Sequence, residues 1–214
     1  MKQIMKKFTT IILIIVILLA ISSPIASART GFVDIWHHPP GTQEAINWGQ
    51  AMGLITGHNG RFFPDDPLTR GALVLIFWRY DGKPDPGTSP GFSDVPQGIV
   101  YFDGITWAQN NGLVTGHNNR FFPYDIITRE AMALILYRYH LWKNPNAARP
   151  SLSALDNFHD KGSVSPVAFE GMCWAVQNGM ITGSGGWLYP QHSLTRSMAV
   201  LLLFRYQNAF IGPT

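Results

Sequence analysis

Cysteine is almost absent: Cys173 is the one cysteine in 214 residues, which excludes an internal disulfide. It stands between Met172 and Trp174 in an apolar stretch, where a buried, inert thiol is the expectation. Charge is scarce too, at 14% of residues. The formal net charge of +3 comes from Lys2, Lys6 and Lys7, which precede an apolar run from Ile11 to Ile21 and then Ala26-Ser27-Ala28. That is the pattern of a secretory signal peptide cleaved after Ala28. The run is shorter than the roughly 18 apolar residues wanted for a membrane span, so no membrane contact is expected after cleavage. Losing three of sixteen basic residues leaves thirteen against thirteen acids, and no basic stripe remains to neutralise a row of phosphates. Nucleic acid is thereby excluded as a partner. His58 and His117 have no partner at a spacing such as His-x-x-x-His, so neither a metal nor another cofactor is expected.

What the chain does have is one pattern written three times. Trp48, Gly53, Thr56-Gly57, Pro64, Thr69-Arg70 and Arg79-Tyr80 recur 59 residues on as Trp107, Gly112, Thr115-Gly116, Pro123, Thr128-Arg129 and Arg138-Tyr139. A further 67 residues on come Trp174, Gly179, Thr182-Gly183, Pro190, Thr195-Arg196 and Arg205-Tyr206. Such repetition means one supersecondary unit used three times, and copies of about 60 residues are too small to stand well alone. The expected organisation is a signal peptide at 1–28 and copies at 29–86, 87–148 and 149–214, sharing one core.

Each copy reads as helix, turn-rich loop, helix. The first helices are expected at about 43–52, 102–111 and 166–178, each stopped by a glycine (Gly53, Gly112, Gly179) suited to a left-handed cap. Ser165-Pro166 supplies an N-cap followed by proline in the third copy. Asn59-Gly60, Asn118-Asn119 and Gly185-Gly186 are turn pairs able to take positive φ. The second helices open at Thr69, Thr128 and Thr195 and are apolar nearly all round, which predicts interior helices gathered in a central bundle. Arg79, Arg138 and Arg205 fall near their C-terminal ends, where a cation suits the dipole.

The run Phe92-Ser93-Asp94-Val95, Trp107-Ala108, Gly112-Leu113-Val114-Thr115-Gly116, Phe121, Pro123, Thr128-Arg129 resembles the S-layer homology repeat, and three tandem copies is that family's usual arrangement. The likeness extends from about Phe32 to Tyr206. It implies a mainly α fold, three helix-loop-helix repeats in a pseudo-threefold arrangement around a central helical bundle. It further implies grooves between repeats that bind secondary cell-wall polysaccharide, often pyruvylated, as a noncovalent anchor at the cell surface, with other surface-layer proteins as further partners. The threonine-arginine pairs Thr69-Arg70, Thr128-Arg129 and Thr195-Arg196 would line those grooves. Two departures stand out. The family's Thr-Arg-Ala-Glu would close a capping box, but the third helical positions here are Ala72, Ala131 and Met198, so looser loop-helix junctions are expected. Copy three opens with Phe158-His159-Asp160, which makes its groove the least faithful.

The residues themselves leave alternatives open. Arg70, Arg129 and Arg196 sit where the helix dipole is already positive; a bound carboxylate sharing the free N–H groups of the helix start would offset that, as would pairing with Asp65 or Asp125. Trp48, Trp107 and Trp174 suit either stacking on a sugar ring or a core position between the two helices of a copy. Gly57, Gly116 and Gly183 serve a turn or the close approach of a ligand. Asp34, Asp94 and Asp160 suit capping or hydrogen bonds to sugar hydroxyls. Competing classes are a structural or adaptor protein of the surface layer and a wall-glycan hydrolase. The latter needs two placed carboxylates, and Asp65-Asp66, Glu44 and Glu170 do not recur as such a pair, so no enzymatic activity is expected.

Overall fold

The computed structural model describes residues 31–88 and 91–213; the expected signal peptide lies outside the described residues. From Phe32 onward the fold is mainly α-helical, with α1 (Pro40–Ala51), α2 (Arg70–Tyr80), α3 (Phe102–Asn110), α4 (Arg129–Lys143), α5 (Pro166–Gln177) and α6 (Arg196–Tyr206). Single 3-10 turns at Leu152–Leu155 and Lys161–Ser163 precede α5, and a π-helical turn, Gln207–Ile211, follows α6. Among the described residues, β-pairing is limited to isolated bridges.

Local chemistry accounts for the boundaries. Gly53, Gly112 and Gly179 end the first helices at φ of 66°, 68° and 69°. In each, the glycine N–H and the next N–H fold back onto carbonyls of the last turn, as in Gly53 to Gln50 O (3.0 Å) and Leu54 to Gly49 O (2.9 Å). This double closure satisfies carbonyls that would otherwise lack partners. Helix α1 begins before the expected Gln43, because Pro40 has no N–H to leave unpaired and its fixed φ suits a first turn. The threonine caps form as expected: the Thr69, Thr128 and Thr195 hydroxyls each accept the third helical N–H at 3.3 Å. Ser165 precedes α5, but its hydroxyl donates to Glu130 instead of capping. Glu130 also accepts the Ser165 N–H at 2.9 Å, so this carboxylate pins the start of α5 instead of merely facing a dipole.

The most extensive helix pairs are formed between copies, not within one. Helix α1 packs on α6, α3 on α2 and α5 on α4, so every first helix lies against a second helix from a different copy, and the pairings close cyclically. A glycine stands at each of these contacts: a Cβ on Gly49 would come within 2.8 Å of Val200 Cγ1, one on Gly104 within 3.1 Å of the Leu75 Cα, and one on Gly171 within 2.9 Å of the Leu134 Cα. The segments entering the second helices also meet in a cycle. Leu68 N–H donates to Leu194 O, Leu194 N–H to Ile127 O, and Ile127 N–H to Leu68 O, at 2.8–2.9 Å. At the far ends of α2, α4 and α6 the rings of Tyr80, Tyr139 and Tyr206 form a triangle with centroids 5.7, 5.9 and 6.4 Å apart. Buried Leu73, Val74, Phe77, Met132, Leu136, Val200 and Leu203 belong to the shared core of these helices.

Candidate functional site

The site is built where one copy's second helix starts against the next copy's loop. The first two helical N–H groups of each second helix donate across that junction: Arg70 to Asp125 O and Gly71 to Pro123 O, Arg129 to His192 O and Glu130 to Pro190 O, Arg196 to Asp66 O and Ser197 to Pro64 O, all at 2.8–3.0 Å. With the third N–H held by threonine, no amide hydrogens remain at these positions for a ligand, contrary to expectation. The junctions are also not left loose by the missing glutamate. Carbonyls from the neighbouring copy fasten them.

The arginine side chains follow their backbones across the junctions. Arg70 Nε donates to Phe121 O (3.1 Å), and its guanidinium lies 4.7 Å from the Phe121 ring centroid. Arg196 repeats this with Phe62 O (2.9 Å) and the Phe62 ring (4.7 Å), and where Arg70 Nη2 reaches Thr115 O at 3.4 Å, Arg196 Nη2 reaches the equivalent Thr56 O at 2.9 Å. In copy three the ring is replaced by Leu188, and Arg129 keeps its Nε bond to Leu188 O (3.0 Å) without a stacking partner. Arg70 is not paired with Asp65 or Asp125 at ion-pair distance, and Asp65 faces His37 and His38 instead. Burial pushes the guanidinium pKa values of Arg70, Arg129 and Arg196 down from the usual arginine value, a sign of cations held partly out of water.

A second set of arginines completes the arrangement. Arg79, Arg138 and Arg205 do more than meet a helix dipole: each donates to the carbonyl just beyond its own copy's capping glycine, Leu54 O (3.0 Å), Leu113 O (3.3 Å) and Met180 O (2.7 Å). Their recurrence nine residues after Arg70, Arg129 and Arg196 is the sequence signal that marks them. Two hollows then bring arginines of different copies together. A hollow of about 330 Å³ is lined by Arg129 and Arg205 with Thr182, Ser184, Tyr189 and His192. Another, of about 200 Å³, is lined by Arg196 and Arg79 with Thr56 and Tyr101. Among the described residues none of these four arginines has a carboxylate within ion-pair distance. The larger hollow sits on copy three, where the sequence reading places the least faithful groove; the departure at His159 leaves Asp160 in its structural place and the cleft intact.

The other expected site residues are elsewhere. Trp48, Trp107 and Trp174 are core residues at 8%, 1% and 2% exposure, with no ring face free for a sugar. Each meets the second helix of its own copy, Trp48 at Tyr80 (6.1 Å), Trp107 at Trp142 (5.7 Å) and Trp174 at Tyr206 (6.3 Å), and Trp48 and Trp174 also reach another copy, at Phe204 (5.3 Å) and Tyr137 (5.7 Å), so the core position between helices is the one they occupy. Asp34 accepts the N–H groups of Phe62 and Phe63, Asp94 those of Phe121 and Phe122, and Asp160 those of Leu188 and Tyr189, at 2.7–2.8 Å. They are loop clamps spanning about half a copy. They hold Phe63, Phe122 and Tyr189 at φ of 58°, 61° and 54°, an unusual conformation for an aromatic residue before proline. A Cβ on Gly57 would stand 2.2 Å from Arg61 O and 2.3 Å from Phe32; Gly116 and Gly183 are confined alike, and only Gly183 has positive φ. Close packing inside the hairpin therefore demands glycine at these positions. Glu170 is engaged by Arg149 (3.0 Å) and the Tyr137 hydroxyl (3.0 Å). Cys173 is buried, and burial pushes its thiol pKa up, as expected of an inert cysteine.

No family model matches the chain. The chain is similar to an S-layer protein of Bacillus thuringiensis subsp. finitimus, at 32% identity over 53% of its own length and 14% of the relative's. It is 26% identical to the S-layer protein sap of Bacillus anthracis over 88% of its own length and 22% of that protein. It is 26% identical to an endoglucanase of Bacillus sp. (strain KSM-635) over 94% of its length and 22% of the enzyme's. The chain thus spans less than a quarter of the length of each. No helix among the described residues is long and apolar enough to cross a membrane.

Proposed function

We propose that this protein is a noncovalent anchoring module of the cell envelope, three S-layer homology repeats in a pseudo-threefold arrangement, whose inter-copy hollows bind an acidic secondary cell-wall polysaccharide. The observation that carries this reading is the pairing of half-buried guanidinium groups without a facing carboxylate, Arg129 with Arg205 and Arg196 with Arg79. Gathering like charges in a partly desolvated cleft is costly, and an acidic ligand relieves it. A planar guanidinium matches a carboxylate such as that of a pyruvyl ketal, and the Thr182, Ser184 and His192 side chains supply hydroxyl and imidazole groups for the rest of a sugar. The cyclic hydrogen bonding of Leu68, Ile127 and Leu194 and the cyclic helix pairing support the threefold arrangement. Similarity to S-layer proteins and to an endoglucanase, in each case over a minor part of the relative, supports a module shared by proteins of different activity, and the S-layer relatives support a place at the cell surface. The relatives' own activities are not carried over to this chain.

The test is retention of the purified protein on wall sacculi before and after acid extraction of the polysaccharide. Retention on untreated walls alone is the expected result, and the double variant Arg129→Gln, Arg205→Gln should cut it at least tenfold while far-UV circular dichroism stays unchanged. Equal retention on extracted walls would overturn the reading in favour of peptidoglycan or protein contacts, the latter being the adaptor role.

A further inference from the structure

We propose that copy one carries a zinc-binding site made of His37 Nε2, His38 Nε2 and Asp65 Oδ2, which the reading of the sequence did not anticipate. The three ligand atoms all lie within 4.8 Å of one another, and each imidazole nitrogen is 3.5 Å from the Asp65 oxygen. Donor atoms around a tetrahedral zinc ion, at bond lengths of about 2.0–2.2 Å, stand roughly 3.3 Å apart, so small side-chain rotations bring these three to one face of such an ion. Two imidazoles and a carboxylate are a borderline donor set that suits zinc better than calcium or magnesium.

The His38 Nε2 atom is the second observation. It is buried, yet it has no hydrogen-bond partner, because the Asp65 oxygen is beyond good hydrogen-bonding range. A buried polar atom left unpaired calls for a physical reason, and a ligand supplies one. The surrounding backbone is held in place. His38 N–H donates to Ile35 O (3.1 Å), Gln43 Nε2 donates to the carbonyls of His38 (2.7 Å) and Trp36 (3.2 Å), and Pro39 follows directly. On the other side Asp65 follows Phe63, whose N–H is clamped by Asp34.

Comparison among the copies shows the cluster to be particular. Counting from the clamp aspartates and from the loop prolines, the equivalent positions are Gln97, Gly98 and Tyr124 in copy two and Ser163, Val164 and Gln191 in copy three. All three metal-ligating residues are thus departures confined to copy one, and the fold brings them together. His37 and Asp65 have side-chain exposures of 47% and 70%, so the site opens to solvent and leaves a fourth position for water or a partner's ligand.

The experiment is calorimetric titration of the full chain, purified without a metal-affinity tag, with zinc chloride. One saturable site is expected. His37→Ala, His38→Ala and Asp65→Asn should each weaken it at least tenfold, and His58→Ala, in the exposed hairpin of the same copy, should leave it unchanged. Nickel and copper chlorides form comparison arms, and zinc should also raise the melting temperature of the unsubstituted chain alone. Absence of saturable heat, or the same affinity and stoichiometry in all three site variants, would overturn the proposal. Its outcome is independent of wall retention, which rests on other residues.

Discussion

Asp94 shows how a single side chain sets the shape of a loop. Its two oxygens accept the consecutive N–H groups of Phe121 and Phe122, and Arg120 lies 3.6 Å away. Replacing it by alanine strands two backbone donors, so Asp94→Ala should cost about 2–3 kcal/mol in urea denaturation, and Asp94→Asn, which retains one acceptor, should cost less. The same geometry fixes the response to acid. Burial pushes the carboxyl pKa values of Asp34 and Asp94 up, but hydrogen bonds from the loop and from their own N–H, with Arg61 or Arg120 alongside, outweigh it and hold both below 3.8. The stability these groups contribute is therefore fully present above pH 3.8 and is lost as pH falls through their lower folded values. Thermal melts recorded from pH 5 to pH 2 should show the loss, and Asp94→Asn should flatten part of it. Neither clamp is legible from local sequence, because the partners lie 27 to 29 residues away; what can be read is that an aspartate opens each copy.

At the scale of the helix, the reading of the sequence does well wherever the cause is local. Capping glycines, capping threonines and turn pairs follow from allowed φ angles and nearby donors, and they stand where expected. Partner choice is different. Nothing within a copy says that α3 packs on α2 or α1 on α6, because apolar faces of similar composition are interchangeable until the whole core assembles, and for the same reason the tryptophans read equally as sugar platforms or as core. Gly171 tests the observed partner. A Cβ there meets the Leu134 backbone at 2.9 Å, so Gly171→Ala should destabilise by about 1–3 kcal/mol despite alanine's better helix propensity. Gly162→Ala, where a Cβ meets nothing within 4 Å, should change stability little, and urea denaturation of both variants checks the pair.

For the molecule as a whole, the cyclic packing predicts one cooperative transition. A fragment ending at residue 148 would remove both α5 from α4 and α6 from α1, and calorimetry should find no sharp melting for it, whereas the complete chain should melt in one peak. The tyrosine triangle gives this shared core an alkaline limit. Burial, with Asp81 nearby, pushes the Tyr206 phenol up to about 12, while Tyr80 and Tyr139 are also raised, chiefly by burial. A phenol whose folded pKa is raised lends stability below pH 10 that disappears as pH climbs toward 12, and equilibrium unfolding monitored by tryptophan fluorescence should follow that course.

Because α6 lies against α1, the order in which the copies are translated is incidental to the architecture. A gene opened in the connection at residues 81–91, with the former ends joined by a spacer of similar length, should encode a circularly permuted chain that folds to the same body with its hollows undisturbed.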